Sequence, residues 1–261
     1  TYIDNQVRTA KQSLGNWVYK NTTMKHIESI LAEPGDYGLE KVLNKFWNSW
    51  HETDSPANIV QNGVALSQKI KNLYDSFRQQ QTTTNDDIVN NAGEINRLAK
   101  EIAKLNEQIR GSSALGYQPN DLMDRRDILL DELSSITRIQ ISGAGGSDLM
   151  VSICGKNLIQ GNSVTEVSVV TGPTGWAQLS WSDDGSPVIC AGGELAGQIE
   201  MRDVKLQGYI DSLNNIASTI VTEVNKLYST GKTPSGGPAG DFFVAGGNAA
   251  NMEVTPALVA T

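Results

Sequence analysis

Apolar residues recur at helical spacing through the first half of the chain. Ile3, Val7, Ala10 and Leu14 share one face of a predicted helix from Thr1 to about Gly15. Met24, Ile27, Ile30 and Leu31 form a second stripe, closed by Pro34-Gly35. Leu39, Val42, Leu43, Phe46, Trp47 and Trp50 make a third, broken by Asp54-Ser55-Pro56. Ser55 suits an N-cap and Pro56 the first helical position. From Pro56 to Arg110 there is no further proline, a run of 55 residues. As one helix it would extend roughly 80 Å at 1.5 Å per residue. Ile70, Leu73 and Phe77 open that helix, and the polar run Gln79–Asp87 interrupts the stripe. Ile88 begins a heptad, and Ile95, Leu98, Ile102, Leu105 and Ile109 then step by threes and fours, the spacing of a seam facing a partner helix. Phe77 to Ile88 spans 11 residues, so the seam changes register there. After the loop Gly111–Gln118, Pro119-Asn120-Asp121 starts a helix to about Ile136 with Leu122, Leu129, Leu130 and Leu133 on its apolar side. Asp121 stands in the first turn, where the helix dipole favours anions, four residues before Arg125.

The period changes at Thr137. Ile139 and Ile141 alternate with polar residues, Gly143–Gly146 turns the chain, and Leu149, Val151 and Ile153 alternate again. Val164, Val167, Val169 and Val170 form another run. Leu179 and Trp181 lead to a hairpin signal at Asp184-Gly185, followed by Val188–Cys190. Helical spacing returns after Gly192-Gly193: Ile199, Leu206, Leu213, Ile220 and Leu227 repeat every seven residues, with Ile210, Ala217 and Val224 between them. Gly231 ends this helix, and a glycine-rich loop with Asp241-Phe242-Phe243 leads to a β-like tail, Met252–Val254, before Pro256. Two long seams remote in sequence each need an apolar partner, and the simplest solution pairs them. The expected fold is α+β: an elongated antiparallel bundle of long helices carrying an inserted small antiparallel β domain. Residues 1–136 and 192–261 would form the discontinuous rod domain, and 137–191 the insertion of five to six strands.

Composition narrows the function. The 261 residues carry a net charge of −8, which opposes duplex DNA or an anionic membrane as the main partner. No apolar run approaches the ~20 residues of a bilayer span. No cleavable secretory signal is visible, and apolar pattern runs up to both ends, as expected of a fragment trimmed at both termini. Cys154 and Cys190 could be buried neighbours on paired strands; free core thiols are the preferred expectation. With His26 and His51 they offer no metal-ligand spacing.

Candidate chemistry reduces to packing. Gly143–Gly146 lacks the Lys-Ser/Thr of a phosphate loop and reads as a hairpin loop. Asp121, Asp124, Asp127 and Asp131, with Arg125 and Arg126 among them, read as a solvated, self-paired face rather than a metal or acid–base site. Asp183-Asp184-Gly185-Ser186 reads as a hairpin tip, lacking the ligand set of a calcium loop. Glu52 and Asp54 beside His51 suit a helix end, and Trp47 and Trp50 beside Phe46 suit a core more than a ligand platform. No catalytic, cofactor-binding or metal residue is assigned, and no cofactor is expected.

Several ordered segments resemble the FlgK family of flagellar hook-associated proteins. They are Ile27–Ile30 with Phe46–Trp50, then Glu94-Ile95-Asn96-Arg97-Leu98 and Leu105-Asn106-Glu107-Gln108-Ile109, then Asn120-Asp121-Leu122-Met123-Asp124-Arg125-Arg126-Asp127. Gly193–Gly197 with Met201-Arg202-Asp203, Val224-Asn225-Lys226-Leu227 and Gly240-Asp241-Phe242-Phe243 follow. Gln61 departs from the arginine common in the family, and 137–191 matches only in position and type. The resemblance implies a non-enzymatic structural subunit of the extracellular bacterial flagellum, exported unfolded through the flagellar type III channel. Implied partners are the hook protein, the second hook–filament junction protein, other copies of itself, and an export chaperone for the full-length protein; nucleic acid and membrane are not among them. Lacking the terminal segments of the family's inner tube, this stretch should be largely monomeric. Flagellin or the second junction protein is the nearest structural rival. A coiled-coil adaptor or sensor module would require a ligand pocket in 137–191, and a hydrolase would require carboxylates meeting in space.

Overall fold

The computed structural model describes residues 2–31, 38–51, 55–143, 148–190, 192–233 and 236–260. The stops read at Pro34-Gly35 and Asp54, Glu52 beside His51, and Ala144–Gly146 of the glycine turn lie outside the described residues. Four helices come first: α1 (Tyr2–Leu31), α2 (Leu39–Ser49), α3 (Pro56–Ala114) and α4 (Asn120–Ile136). Six strands follow: β1 (Ile139–Ser142), β2 (Met150–Ile153), β3 (Lys156–Gln160), β4 (Ser163–Val164), β5 (Val167–Thr171) and β6 (Ala177–Trp181). Helix α5 (Gly193–Glu200) continues through a π-helical turn, Met201–Leu206, into α6 (Gln207–Tyr228), and α7 (Pro256–Val259) comes last. The fold is α+β, with small antiparallel sheets beside long helices.

Local chemistry accounts for the elements. Ser55 caps α3 by accepting the Ala57 N–H at 3.2 Å, with Pro56 next to it where no N–H is needed. The helix then runs 59 residues, straight through the polar stretch 79–87. Strands β1 to β4 form one sheet in sequence order, and β5 and β6 a separate hairpin. The register shifts between Val151 and Ser152, where Ile159 and Asn157 face them and Leu158 is the extra residue. Leu158 and Ile159 are consequently both fully buried. A search for strict alternation therefore passes over β3. The Asp184-Gly185 turn forms, but its second arm is no named strand: it is held by the Ser180–Pro187 bridge, the Trp181 N–H donated to Ser186 at 2.8 Å and the Val188 N–H donated to Leu179 at 2.9 Å.

The chain divides into two compact units, 1–23 with 83–202 and 24–82 with 203–261. In the first, Ile95, Leu98 and Ile102 of α3 share a core with Leu130 and Leu133 of α4, Val151, Ile153, Ile159 and Trp181 of the strands, and Leu195 of α5. The β segment thus shares the helices' core. In the second unit, Leu66, Ile70, Leu73 and Phe77 of α3 are buried, as are Leu206, Ile210, Leu213, Ala217, Ile220 and Val224. Phe77 stacks on Tyr209 of α6 with centroids 5.6 Å apart. Of the two seams read as mutual partners, only the first member of the later one, Ile199, packs on the core of Ile95 and Ile102; from Leu206 onward it belongs to the second unit, where the earlier part of α3 accompanies α6. The long last helix is also not uniform. Its wide π turn departs from the α-helical twist on which a heptad column depends, and Leu227, the last member of that column, is 69% exposed.

Two glycines mark close approaches. Gly193 opens α5 at φ 75°, and a Cβ there would stand 2.4 Å from the Ile136 carbonyl oxygen. A Cβ on Gly15 of α1 would meet the Ser135 carbonyl oxygen at 2.6 Å. Gly93, inside α3, has open space around it. Gly193→Ala should therefore cost about 3 kcal/mol or more, from left-handed strain plus overlap. Gly93→Ala should stabilise by roughly 0.5–1 kcal/mol, the usual preference for alanine within a helix. Urea unfolding of the two variants beside the parent checks both signs.

Candidate functional site

The singled-out residues do not converge on a reaction centre. His26 in α1 contacts the Gln80 side chain at 2.5 Å, and His51 lies just past α2. Asp183 and Asp184 both hold Lys156, at 2.7 and 2.8 Å, and Asp184 also accepts the Ser186 N–H and hydroxyl. Lys156 and these Ser186 hydrogen bonds hold the Asp184 carboxyl well below its ordinary range. The group is a cross-linked turn. Among the described residues, no cluster of three or more His, Cys, Asp or Glu could hold a metal ion.

The acidic run on α4 is not self-paired in the way its spacing suggested. Asp127 and Asp131 accept from Arg8 of α1 at 3.1 and 3.0 Å, and Lys11 reaches Asp131 at 2.7 Å. Arg126 is buried, donates to Asn106 at 3.0 Å, and its pKa is lowered by burial. Helical spacing puts acid and base near each other along one helix; the docking of α1 supplies closer partners. The aromatic group also differs. Phe46 is fully buried against Phe242 and Phe243 at 5.8 Å, while Trp47 and Trp50 are 39% and 37% exposed and form its rim. Cys154 and Cys190, expected as free thiols, form a disulfide. They are not on paired strands: the linker after β6 brings Cys190 back beside the β2–β3 turn.

Asparagine side chains join helices to strand and loop backbone. Asn96 donates to the Val167 carbonyl at 2.7 Å and accepts the Val167 N–H at 2.8 Å. Asn85 accepts from the Ala177 N–H at 2.8 Å and from Arg202 at 2.9 Å, and Arg202 also reaches the Ala177 carbonyl at 2.9 Å. Asn106 donates to the Gly161 carbonyl at 2.8 Å. In the second unit, Asn225 of α6 grips Phe243 as Asn96 grips Val167, with both contacts at 2.8 Å. An amide side chain has one donor end and one acceptor end, so it can complete a strand residue's backbone pair. Asn96, Asn106, Arg126, Arg202 and Asn225 all lie in segments that carried the family resemblance, although their structural role was not read from them.

An open cleft of about 1030 Å³ lies in the first unit, lined by Arg8, Gln12, Asn16 and Lys20 of α1, Arg138–Ile141, Cys190 and Glu200. Lys20 is ion-paired with Glu200. The Tyr19 hydroxyl donates to Asp87 at 2.8 Å, and burial, reinforced by that carboxylate, pushes its pKa up. Glu194 is raised by burial, with Asp87 adding to the effect. It stands in the first turn of α5, where the dipole pulls the other way. The inner side of 137–191 is filled by Val151, Ile153, Leu158, Ile159 and Leu179, which belong to the common core.

Long helices, with small sheets pinned to them by polar side chains, define a helical packing protein. Residues 24–243 match the family described as the flagellar hook-associated protein FlgK helical domain, and the chain belongs to that family. It is 27% identical to flagellar hook-associated protein 1 of Bacillus subtilis over 93% of this chain and 55% of that protein. It is also 27% identical to that of Salmonella typhimurium, over 99% and 51%. The chain thus spans about half the length of the curated relatives it matches. The structure of the flagellar hook junction protein FlgK from Burkholderia pseudomallei has the same fold, with a TM-score of 0.78 at 22% identity, covering 93% of this chain and 47% of that one.

Removing the Asn96 amide should leave the buried Val167 backbone pair unsatisfied. Asn96→Ala should cost about 2–4 kcal/mol by urea unfolding. Asn90→Ala, on an exposed part of the same helix, should stay within about 0.5 kcal/mol. Glu194 gives a pH test. A raised folded pKa means its contribution is most favourable below the ordinary carboxylate range and is lost as pH rises through the folded value. Glu194→Gln should therefore be more stable than the parent at neutral pH, with the difference fading on acidification; equal curves at both pH values would contradict this.

Proposed function

We propose that this chain is the helical part of a subunit that joins hook to filament in the extracellular bacterial flagellum, and that it is structural rather than catalytic. Family membership and the names of its relatives support the reading. The observation that carries it is the inverted amphipathicity of α1. Arg8, Gln12 and Thr23 are its buried residues up to position 23. Ile3, Val7, Leu14 and Trp17, spaced as a heptad seam, are 68%, 43%, 58% and 62% exposed. A helix docked by polar contacts that turns an apolar seam outward presents a surface for other helices of an assembly.

The hook protein and the second junction protein are the proposed neighbours, with further copies of the same subunit alongside and an export chaperone before assembly. Passage through the type III channel, unfolded, is part of the same reading. Among the described residues, no helix is long and apolar enough to cross a membrane. Restoring the full-length gene to a strain lacking it should rescue motility with filaments attached to hooks; flagellin still shed into the medium would overturn the assignment. Leu14→Glu with Trp17→Glu in the full-length protein should shift Tm by no more than about 2 °C, as expected of exposed positions. The same pair should nevertheless reduce filament attachment, counted by electron microscopy. The chain by itself should sediment largely as a monomer, since two heptads are too few to hold a coiled coil together.

A further inference from the structure

We propose that Cys154–Cys190 is a redox lock, open while the chain is in a reducing compartment and closed once it is outside, which clamps the start of α5 to the four-stranded sheet. This rests on the extracellular reading above. Cys154 begins the turn between β2 and β3 in the left-handed region, at φ 50°, and Gly155 follows at φ 85°. Cys190 lies near the end of the linker from β6 to α5. Along that linker Val188 is buried and bonded to β6, but Ile189 is 76% exposed. The disulfide then ties the chain down again just before Gly193 turns into α5. The two Cα atoms are 5.0 Å apart across 36 residues of sequence. The fully buried Thr137 sets its hydroxyl beside the disulfide, donating to Cys190 Sγ at 3.4 Å and lying 4.0 Å from Cys154 Sγ. Cys190 also lines the open cleft, which gives a small oxidant a way in.

The oxidant is a low-molecular-weight disulfide. One cysteine thiolate attacks it and expels the first small thiolate; the second cysteine thiolate attacks the mixed disulfide and expels the other. The two cysteines are oxidised, the small disulfide is reduced to two thiols, and the protons lost by the cysteines end on those thiols. In a thiol-rich cytosol the exchange runs in reverse. Closure encircles the whole β5–β6 hairpin and restricts the unfolded chain, so the folded state gains stability only after export.

Thiol labelling of the full-length protein in its own bacterium tests the proposal. After acid quenching, a maleimide of high mass should add two more labels to the cytosolic pool than to the extracellular pool. Equal labelling of the two pools overturns the lock while leaving the flagellar reading in place. Absence of the protein outside the cell overturns both. With the purified chain, dithiothreitol should lower Tm by roughly 5–15 °C. It should also raise hydrogen exchange in residues 188–193 above that in α3. Cys190→Ser should match the reduced parent and ignore the reductant; identical melting of oxidised and reduced parent would refute the proposal.

Discussion

Backbone that leaves a helix or a sheet ladder must find hydrogen-bond partners once it is buried, and here helix side chains supply many of them. The bidentate Asn96–Val167 and Asn225–Phe243 contacts are the clearest cases. Each satisfies a backbone donor–acceptor pair that the ladder leaves open and fixes one residue against one turn of helix. Apolar packing alone tolerates sliding, because neighbouring apolar side chains are nearly interchangeable. A donor–acceptor pair does not, since a one-residue slip leaves both of its ends unsatisfied. Asn85 and Asn96 are 11 residues apart, about three helical turns, and so face the same way along α3. The β5–β6 hairpin is thereby held at two levels of one helix.

Two of the three boundaries between the compact units fall where helical register changes. One lies at 82/83, inside the polar run of α3, and another at 202/203, inside the π turn. The first was legible in the sequence, because the 11 residues between Phe77 and Ile88 break the heptad count. The second was not. Ile199, Leu206 and Leu213 keep a seven-residue spacing, and counting letters cannot reveal a turn that takes in an extra residue. The column stays buried through Leu206, Leu213 and Ile220 and fails only at Leu227, its last member.

The same limit explains the other misses. Periodicity found the long helices and the alternating strands. It missed β3 because the bulge buries adjacent residues, and it missed the disulfide because a linker, not a ladder, brings Cys190 to Cys154. Asn96, Asn106 and Asn225 stood in segments already recognised as family motifs. Their role depends on which backbone atoms arrive opposite them, and no local pattern encodes that. The Asp127 and Asp131 partners were misplaced for a related reason: Arg8 and Lys11 lie about 120 residues away in sequence.

Helix α1 shows what this construction permits. A helix usually joins its protein through an apolar stripe and gives its polar face to water. Here Arg8 binds Asp127 and Asp131, Asn16 donates to the Gly193 carbonyl at 3.2 Å, and Tyr19 donates to Asp87, so attachment is largely polar. The apolar stripe is then left for the outside. Partly buried polar attachment contributes less net stability than apolar burial but more positional definition, because each contact accepts one geometry. A subunit that must hold its seam in one orientation for neighbours has reason to use it. That trade links the polar joints of the first unit to the packing role proposed for the protein.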